Sequence, residues 1–276
     1  MDKRFEQGRD FLKSNWHFVT ETASDQSRGM PMPLQEVPPE EDDSIVALLP
    51  VENAYTTDTN RAAQPQASTD MQVPGAGEFS GAAAPSGLPE SLHYLLKNRR
   101  SRRIFASTTL SMEQLSYLLW ACEGVRENKG KFSFRTTPSG GARHPLDLYV
   151  FAHNVDRLKI GLYRYLPIEH SLVLERDGDD SAALDEALNG QFRDSACVIM
   201  WAAVPYRSEW RYGKAADKLV ALDAGHSCQN LYLACEALGL GTCAIGAYDQ
   251  KKLDAYLGLD GEDMFALYAA PVGTPK

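Results

Sequence analysis

Apolar residues recur at helical spacing in two parts of the chain. Residues 111–114 read Ser-Met-Glu-Gln, the pattern of a capping box, and apolar residues follow at helical spacing as far as Cys122. Residues 215–238 are apolar on most faces, which predicts a long helix that runs through the core or an interface. Gly239 and Gly241 are expected to end this helix.

Short apolar runs predict the strands. They span residues 146–152, 163–166, 172–174, 196–204, 242–248 and 264–272. Asp249 is expected to cap a helix that ends at Leu257, and a short helix is expected at residues 3–13. Strands and helices mix without strict βαβ alternation, which favours an α+β fold over a doubly wound sheet.

Composition divides the chain into three zones. Residues 1–60 alternate short apolar pieces with proline and acid, and their aromatic content predicts an N-terminal arm that packs on the folded body. Residues 61–90 read as a flexible linker, since 18 of the 29 residues at 61–89 are Ala, Pro, Gly or Ser. Residues 91–276 have the pattern of one globular domain.

Charge and apolar content exclude several classes of protein. The net charge of −9 comes entirely from residues 1–90, so the rest of the chain is neutral and no positive field favours nucleic acid or an anionic membrane. The longest apolar stretch, residues 196–205, is about half of what a membrane span needs. Without a signal-like start, a cytoplasmic location is expected.

The five cysteines show no Cys-x-x-Cys spacing and lie mostly in apolar surroundings. We expect buried, reduced thiols and no metal site.

The densest positive feature is residues 99–103, Arg-Arg-Ser-Arg-Arg. Arginine suits bidentate contacts to phosphate, so the segment is a candidate phosphate site. Taken alone, an exposed basic turn is the more frequent explanation of such a cluster. A nucleic-acid patch is disfavoured, because no second basic stripe with interleaved aromatics accompanies it.

Two further segments could approach a ligand. Residues 135–145 contain a Pro-Ser-Gly-Gly run ahead of a strand, which is as consistent with a tight turn as with a ligand loop. In the long helix, Gly225 costs helix stability, so close packing against another helix or a ligand is expected there. The neighbouring His226 is a weaker catalytic candidate, because a hydrogen-bonded core histidine is the more frequent case.

These features, in this order, resemble the FMN-dependent nitroreductase superfamily, and more narrowly its SagB-type branch, which includes dehydrogenases that oxidise azolines to azoles. The matching segments are residues 99–105, 115–121, 135–149, 161–165, 223–236, 239–247 and 271–273. The resemblance covers residues 91–276. It implies a nitroreductase-like fold with a central mixed or antiparallel sheet flanked by helices, and a long core helix at a homodimer interface.

The resemblance also implies which residues bind FMN. The phosphate, ribityl chain and ring would be held by Arg99, Arg100, Ser101 and Arg103, with Arg102 at the surface. The loop residues Pro138, Ser139 and Gly140 would line the ring across the dimer interface, and Ile245 with Gly246 would lie along it. The Gly246 amide would face flavin N5, and Lys276 is a further candidate for the phosphate.

The chain departs from the family pattern at informative positions. Many nitroreductases carry Glu-Gly where this chain has Ile245-Gly246, so a glutamate side chain cannot act there. Azole-forming enzymes carry a Lys-Tyr pair where this chain has Arg211-Tyr212. Tyr212 is therefore a catalytic candidate, while Arg211 is too basic for general-base work.

The expected activity is FMN-dependent hydride transfer from NAD(P)H or a similar donor to a planar acceptor, such as a nitroaromatic, quinone or enone, by a homodimer. Two alternatives remain open. One is a SagB-type peptide azoline dehydrogenase, and the other is a flavin-binding sensor or scaffold without turnover.

Overall fold

The computed structural model describes residues 23–41, 43–49 and 92–276. The strands are β1 (Ile45–Ala47), β2 (Phe105–Ala106), β3 (Val125–Asn128), β4 (Ser133–Arg135), β5 (Leu146–Ala152), β6 (Gly161–Leu166), β7 (Ser171–Asp177), β8 (Cys197–Ala203), β9 (Gly241–Thr242) and β10 (Phe265–Pro275). The helices are α1 (Leu92–Asn98), α2 (Met112–Glu123), α3 (Ser181–Ala187), α4 (Tyr206–Tyr212), α5 (Ala216–Ala237) and α6 (Gln250–Leu257). Short 3₁₀ turns lie at Gly140–Ala142 and Gly213–Ala215.

Eight strands form one antiparallel sheet in the order β1-β7-β6-β5-β8-β10-β2, with β9 paired beside β10. The hairpin β3–β4 stands apart from it. The α+β class and the antiparallel central sheet predicted from the sequence are confirmed.

Strand β8 explains why its sequence is apolar without interruption. Side chains alternate between the two faces of a strand. Ile199 and Trp201 pack in the core on the side of α2 and α5, whereas Val198 and Met200 pack in the core on the side of α3 and α6. Because helices cover both faces of the sheet at β8, a polar side chain on this strand would have no contact with solvent.

The helix signals in the sequence are confirmed. Ser111 and Gln114 form the complete capping box at the start of α2. Asp249 caps α6 by accepting from the Lys252 N–H (3.1 Å). The long helix α5 matches its predicted bounds to within one residue at each end.

One predicted strand is much shorter than expected. Of residues 242–248, only Thr242 lies in a strand, and Ile245 forms a single bridge to Ala269. Residues 241–242 pair with Val272 and Gly273 of β10, and the next pairing along the segment is that of Ile245. The segment therefore touches β10 only at intervals, which leaves Gly246 outside the ladder.

The described part of the N-terminal arm lies against the body. Strand β1 extends the sheet at β7, and Leu48 is buried. The Trp210 indole N–H donates to the Met30 carbonyl (2.9 Å), and the Ser116 hydroxyl donates to the Leu49 carbonyl (2.9 Å). The expected helix at residues 3–13 and the expected linker at 61–90 lie outside the described residues, so the zone boundaries stay a prediction.

All five cysteines are buried free thiols, as expected. Within the described ranges, no helix is long and apolar enough to cross a membrane, and no cluster of His, Cys, Asp and Glu is suited to a metal ion.

Candidate functional site

Tyr232 on α5 organises the arginine segment that follows α1. The Arg99 guanidinium lies 5.4 Å from the centre of the Tyr232 ring, a cation–π contact. The Tyr232 hydroxyl is hydrogen-bonded to the Ser101 hydroxyl (3.2 Å) and accepts from the Ala244 N–H (2.8 Å). One phenol thus joins the arginine segment to the strand-like segment that carries Gly246.

Within the described part of the chain, the cations of this segment lack anionic partners. Among the described residues, no carboxylate forms an ion pair with Arg99, Arg100, Arg102 or Arg103. Arg100 instead donates to the carbonyls of Lys97 (3.0 Å) and Arg99 (2.9 Å). Four like charges within five positions repel one another, so the arrangement favours an anionic ligand.

Arg102 differs from its expected place at the surface. Its side chain is half-buried, because its Cβ and Cγ pack on the open face of Gly241, where any side chain would collide with it. The buried Arg102 Nε has no hydrogen-bond partner among the described residues, and neither has the buried Thr242 hydroxyl. The backbone links the two, since the Arg102 N–H donates to the Thr242 carbonyl (2.9 Å). Unpaired buried donors beside free guanidinium groups fit a phosphate-bearing ligand.

Gly246 and Lys276 lie close to this segment in the fold. Gly246 is exposed, and its N–H has no acceptor within the described part of the chain. The side chain of Ile245 is buried in the core, so only its backbone can face a ligand. The Lys276 N–H donates to the Ile104 carbonyl (3.2 Å), which places the end of the chain beside the arginine segment.

The Pro-Ser-Gly loop is held by Asp223 of α5. The Ser139 hydroxyl donates to Asp223 Oδ2 (2.6 Å) and accepts from the His144 N–H (2.9 Å). Burial raises the pKa of Asp223 to about 6, against the lowering effect of the Ser139 hydrogen bond. The loop adopts the left-handed region at Gly141 (φ 61°), Ala142 (φ 52°) and His144 (φ 47°). Two of these are not glycine, so the surrounding contacts must stabilise a strained backbone.

Tyr212 lies against the same loop. A Cβ built on Gly140 would lie 3.6 Å from its ring, and one built on Gly141 would lie 2.5 Å from its hydroxyl oxygen. A side chain at position 141 would therefore collide with Tyr212. The structure thus brings Tyr212 together with residues 138–140.

Within one chain the two groups of predicted residues are apart. Asp223 holds the Pro-Ser-Gly loop, and Tyr232 holds the arginine segment. Nine residues of helix separate them, a rise of roughly 14 Å. Arg99, Ser101, Gly246 and Lys276 form one group, while Pro138, Ser139, Gly140 and Tyr212 form the other.

A cavity of about 840 Å³ opens beside the loop. Its lining is shared by the N-terminal arm, the β3–β4 hairpin, the Pro-Ser-Gly loop and the end of α4. The volume lies within the range typical of small-molecule sites.

Two buried ion pairs support this region, and sequence reasoning missed both. Arg207 forms a bidentate pair with Asp147 (2.6 and 3.1 Å), and Arg135 contacts Glu123 (3.2 Å). Burial outweighs the Arg135 charge and raises the pKa of Glu123 to about 7. The Arg207–Asp147 partners are far apart in sequence, so no local pattern signals that pair.

The structure corrects the expectation for His226, which is exposed rather than a core histidine. It lies on the same exposed helix face as Gly225 and Leu222. A Cβ on Gly225 would meet nothing within 4 Å, so nothing in the described chain packs closely on it.

Comparison with known proteins settles the family. A model of the nitroreductase family matches residues 96–274, which is more than half of the chain. The chain belongs to the nitroreductase family. It is also 35% identical over 185 residues to a Methanocaldococcus jannaschii protein named "Putative nitroreductase MJ1384", a match that covers 66% of this chain and 90% of that protein. A nitroreductase-family oxidoreductase is thereby indicated, as the sequence predicted.

Solved structures agree on the nitroreductase fold. A "putative nitroreductase" of Ralstonia eutropha JMP134 is 27% identical, with a TM-score of 0.59 and coverage of 77% of this chain and 99% of that one. A chain of the E. coli microcin synthetase McbBCD complex, solved with truncated pro-MccB17 bound, has a TM-score of 0.56 at 15% identity and covers 99% of this chain and 97% of that one.

This nitroreductase-family chain is also similar to a protein named for toxin processing. It is 28% identical over 138 residues to the trifolitoxin-processing protein TfxB of Rhizobium leguminosarum, covering 48% of this chain and 37% of that protein. The likeness to TfxB is consistent with the SagB-type branch of the family that the sequence motifs resemble.

Proposed function

We propose that this chain is an FMN-dependent oxidoreductase that transfers a hydride from a nicotinamide-type donor to a planar acceptor. The observation that carries the proposal is the arginine segment, whose guanidinium groups have no carboxylate partner among the described residues. The unpaired Arg102 Nε and Thr242 hydroxyl add two buried polar groups at the same place. A flavin phosphate would supply the negative charge and the acceptor oxygens with which these groups can pair.

The residues around this segment suit the rest of the cofactor. Arg103 is exposed and is the last residue of the arginine segment. Its cation would favour negative charge on the reduced flavin ring. Gly246 is exposed and its N–H has no acceptor within the described part of the chain, so this N–H can donate to a ring nitrogen. FMN, when bound, supplies the hydride chemistry, and the protein supplies position and charge.

A homodimer would bring the two residue groups to one ring. The Pro-Ser-Gly loop is roughly 14 Å along α5 from the arginine segment of the same chain, so a loop from a second copy is the simpler source. Two apolar surfaces favour such a partner. Helix α1 buries no residue and exposes Leu92 and Leu96, and α5 exposes Leu222 beside the open Gly225.

The test is FMN affinity, measured by flavin fluorescence titration. Arg99→Ala and Arg100→Ala each remove a cation whose charge-assisted contact is worth about 1.5–3 kcal/mol, so each variant should bind FMN roughly tenfold to a hundredfold more weakly. Lys159→Ala is the matched control, because Lys159 is exposed and lies far along the chain from the segment.

Full retention of FMN by the double arginine variant would contradict the phosphate assignment. The second measurement is anaerobic mixing of the FMN-loaded protein with NADH and with NADPH. Bleaching of the flavin colour is expected. A flavin that stays oxidised with both donors would favour a binding protein without turnover.

A second candidate is a peptide azoline dehydrogenase. The likenesses to TfxB and to a microcin synthetase chain favour it, and the latter extends over 99% of this chain. The position of Arg211 disfavours it, because a guanidinium cannot accept a proton at ordinary pH. Mass spectrometry of an azoline-containing peptide distinguishes the two, since azole formation removes two hydrogen atoms and an unchanged mass excludes this candidate for that peptide.

A further inference from the structure

The cavity beside the Pro-Ser-Gly loop carries a marked excess of positive charge. Five cationic residues line it, namely Arg126, Lys131, Arg135, Arg143 and Arg211. Among its described lining residues there is no aspartate and no glutamate. Only Arg135 has an ion-pair partner within the described chain, the buried Glu123.

Arg143 is the most unusual of these cations because it is buried without a counter-charge among the described residues. Its side chain is 3% exposed. Its guanidinium donates to the carbonyls of Gly141 (3.2 Å) and Ala142 (3.2 Å) and lies 5.3 Å from the centre of the Trp210 ring. Neutral carbonyls and a ring face offset only part of the cost of burying a full charge.

Arg211 adds a second cation at the same end of the cavity. Burial lowers the pKa of Arg143, and the Arg211 charge lowers it further. The two guanidinium groups therefore disfavour each other in the protein alone. An anion between them would attract both guanidinium groups and offset their repulsion.

The cavity walls also offer aromatic surface. Phe132 and Phe134 of the hairpin meet edge to face, with their ring centres 5.5 Å apart, and both are partly exposed to the cavity. Trp210 also lines the cavity. Rings and cations together suit a ligand with a flat apolar body and a charged end.

We propose that this cavity binds a small anionic aromatic ligand, with its carboxylate or phosphate between Arg143 and Arg211. Pro138 and Ser139 line both the cavity and the proposed flavin-binding surface, so the flat body of the ligand would lie next to the ring of the cofactor. Its role as a substrate site rests on the proposed function, whereas anion binding itself does not.

The anion can come from either reactant, the carboxylate of an acceptor or a phosphate of the nucleotide donor. Two matched pairs of probes separate these sources. They are 4-nitrobenzoate against 4-nitrobenzyl alcohol, and adenosine 2′,5′-bisphosphate against adenosine. Isothermal titration calorimetry of the FMN-loaded protein gives the dissociation constant of each.

At least one charged probe should bind tenfold or more tightly than its neutral partner. Arg211→Gln should weaken that probe roughly tenfold to a hundredfold and bring the ratio towards one. Lys251→Gln is the control, because it removes the same charge from an exposed position on α6 and should leave the ratio unchanged. A preference for 4-nitrobenzoate assigns the site to the acceptor, and a preference for the bisphosphate assigns it to the donor.

Equal affinity for charged and neutral probes in both pairs would overturn the inference. So would a charged-probe affinity that Arg211→Gln leaves intact. If the protein binds no FMN but still prefers the charged probes, the proposed function fails and the anion site remains.

Discussion

At the scale of single residues, Ser139 links the Pro-Ser-Gly loop to the core. Its hydroxyl is engaged on both sides, by Asp223 and by the His144 N–H, so it holds the loop in place rather than pointing free into the cavity. The family resemblance implied that Ser139 lines a ligand, but the sequence gave no indication that Asp223 is its partner. That contact spans 84 positions of the chain.

Ser139→Ala should lower the free energy of unfolding by about 1.5–3 kcal/mol, because a carboxylate loses its hydroxyl donor. The pKa of Asp223 should rise further above about 6. Urea denaturation at pH 7 measures the first effect. Ser195→Ala is the control, since the buried Ser195 hydroxyl has no partner in the described chain and its removal should be close to neutral. Equal losses in both variants would contradict the assigned role.

At the scale of elements, local sequence signals were sufficient wherever an element is stabilised by its own residues. The capping box of α2 and the Asp249 cap of α6 are such cases. The short strands β1 and β2 were missed, because each is fixed by pairing with a distant strand. The turn of the β3–β4 hairpin carries a local sequence signal, because the Gly130 N–H donates to the Asn128 side chain (2.8 Å).

The start of β5 depends on one such distant contact. Arg207 clamps Asp147 through two hydrogen bonds, and both side chains are buried. Asp147→Asn should cost about 3–5 kcal/mol, because it leaves the guanidinium buried without its counter-charge. Thermal or urea unfolding checks this value.

Asp156→Asn gives the comparison for that experiment. Asp156 pairs with Arg157 (3.1 Å) at an exposed position, where such a pair contributes at most about 1 kcal/mol. If the two variants lost the same stability, burial would not be the source of the Asp147 effect.

At the scale of the whole molecule, the described part of the N-terminal arm covers surface of the globular part. The proposed dimer would cover further exposed surface of it. The sequence predicted an arm packed on the body from its aromatic residues alone. It did not reveal which arm residues make the contacts, because Gln35 and Glu36 carry no distinctive local pattern. Their partners lie in the hairpin, the Pro-Ser-Gly loop and the β6–β7 connection.

Docking of the arm should depend on pH through Glu36. Burial, followed by the Glu169 side-chain hydrogen bond, raises its pKa to about 8 from an ordinary value of 4.5. A raised carboxyl pKa means that the folded state favours the protonated form. Its contribution to stability is complete below about pH 4.5 and is lost as the pH rises through about 8.

The melting temperature of the wild type should therefore fall relative to Glu36→Gln between pH 5 and roughly pH 9. Glu40→Gln, at an exposed arm position, should follow the wild type over the same range. A difference between wild type and Glu36→Gln that stays constant with pH would refute the assignment.

Substitution of one exposed leucine, Leu222, tests the proposed dimer. Light scattering of the wild type should give about 61 kDa, twice the 30.5 kDa of the chain. Leu222 is 48% exposed, so Leu222→Glu should leave the monomer folded while shifting the mass towards 30.5 kDa. Ile160→Glu, with 39% exposure outside the α1 and α5 surfaces, should stay at the wild-type mass. A wild type of 30.5 kDa would end the dimer proposal.

Gln35 connects the N-terminal arm to the wall of the cavity. Its side-chain oxygen accepts from both the N–H (2.8 Å) and the hydroxyl (2.9 Å) of Ser133, while its amide nitrogen donates to the Ala142 carbonyl. A single amide thus cross-links the hairpin to the strained turn that lines the cavity. Displacement of the arm would therefore leave Ser133 and the Ala142 carbonyl without these hydrogen bonds, and the shape of the cavity wall would depend on whether the arm is in place.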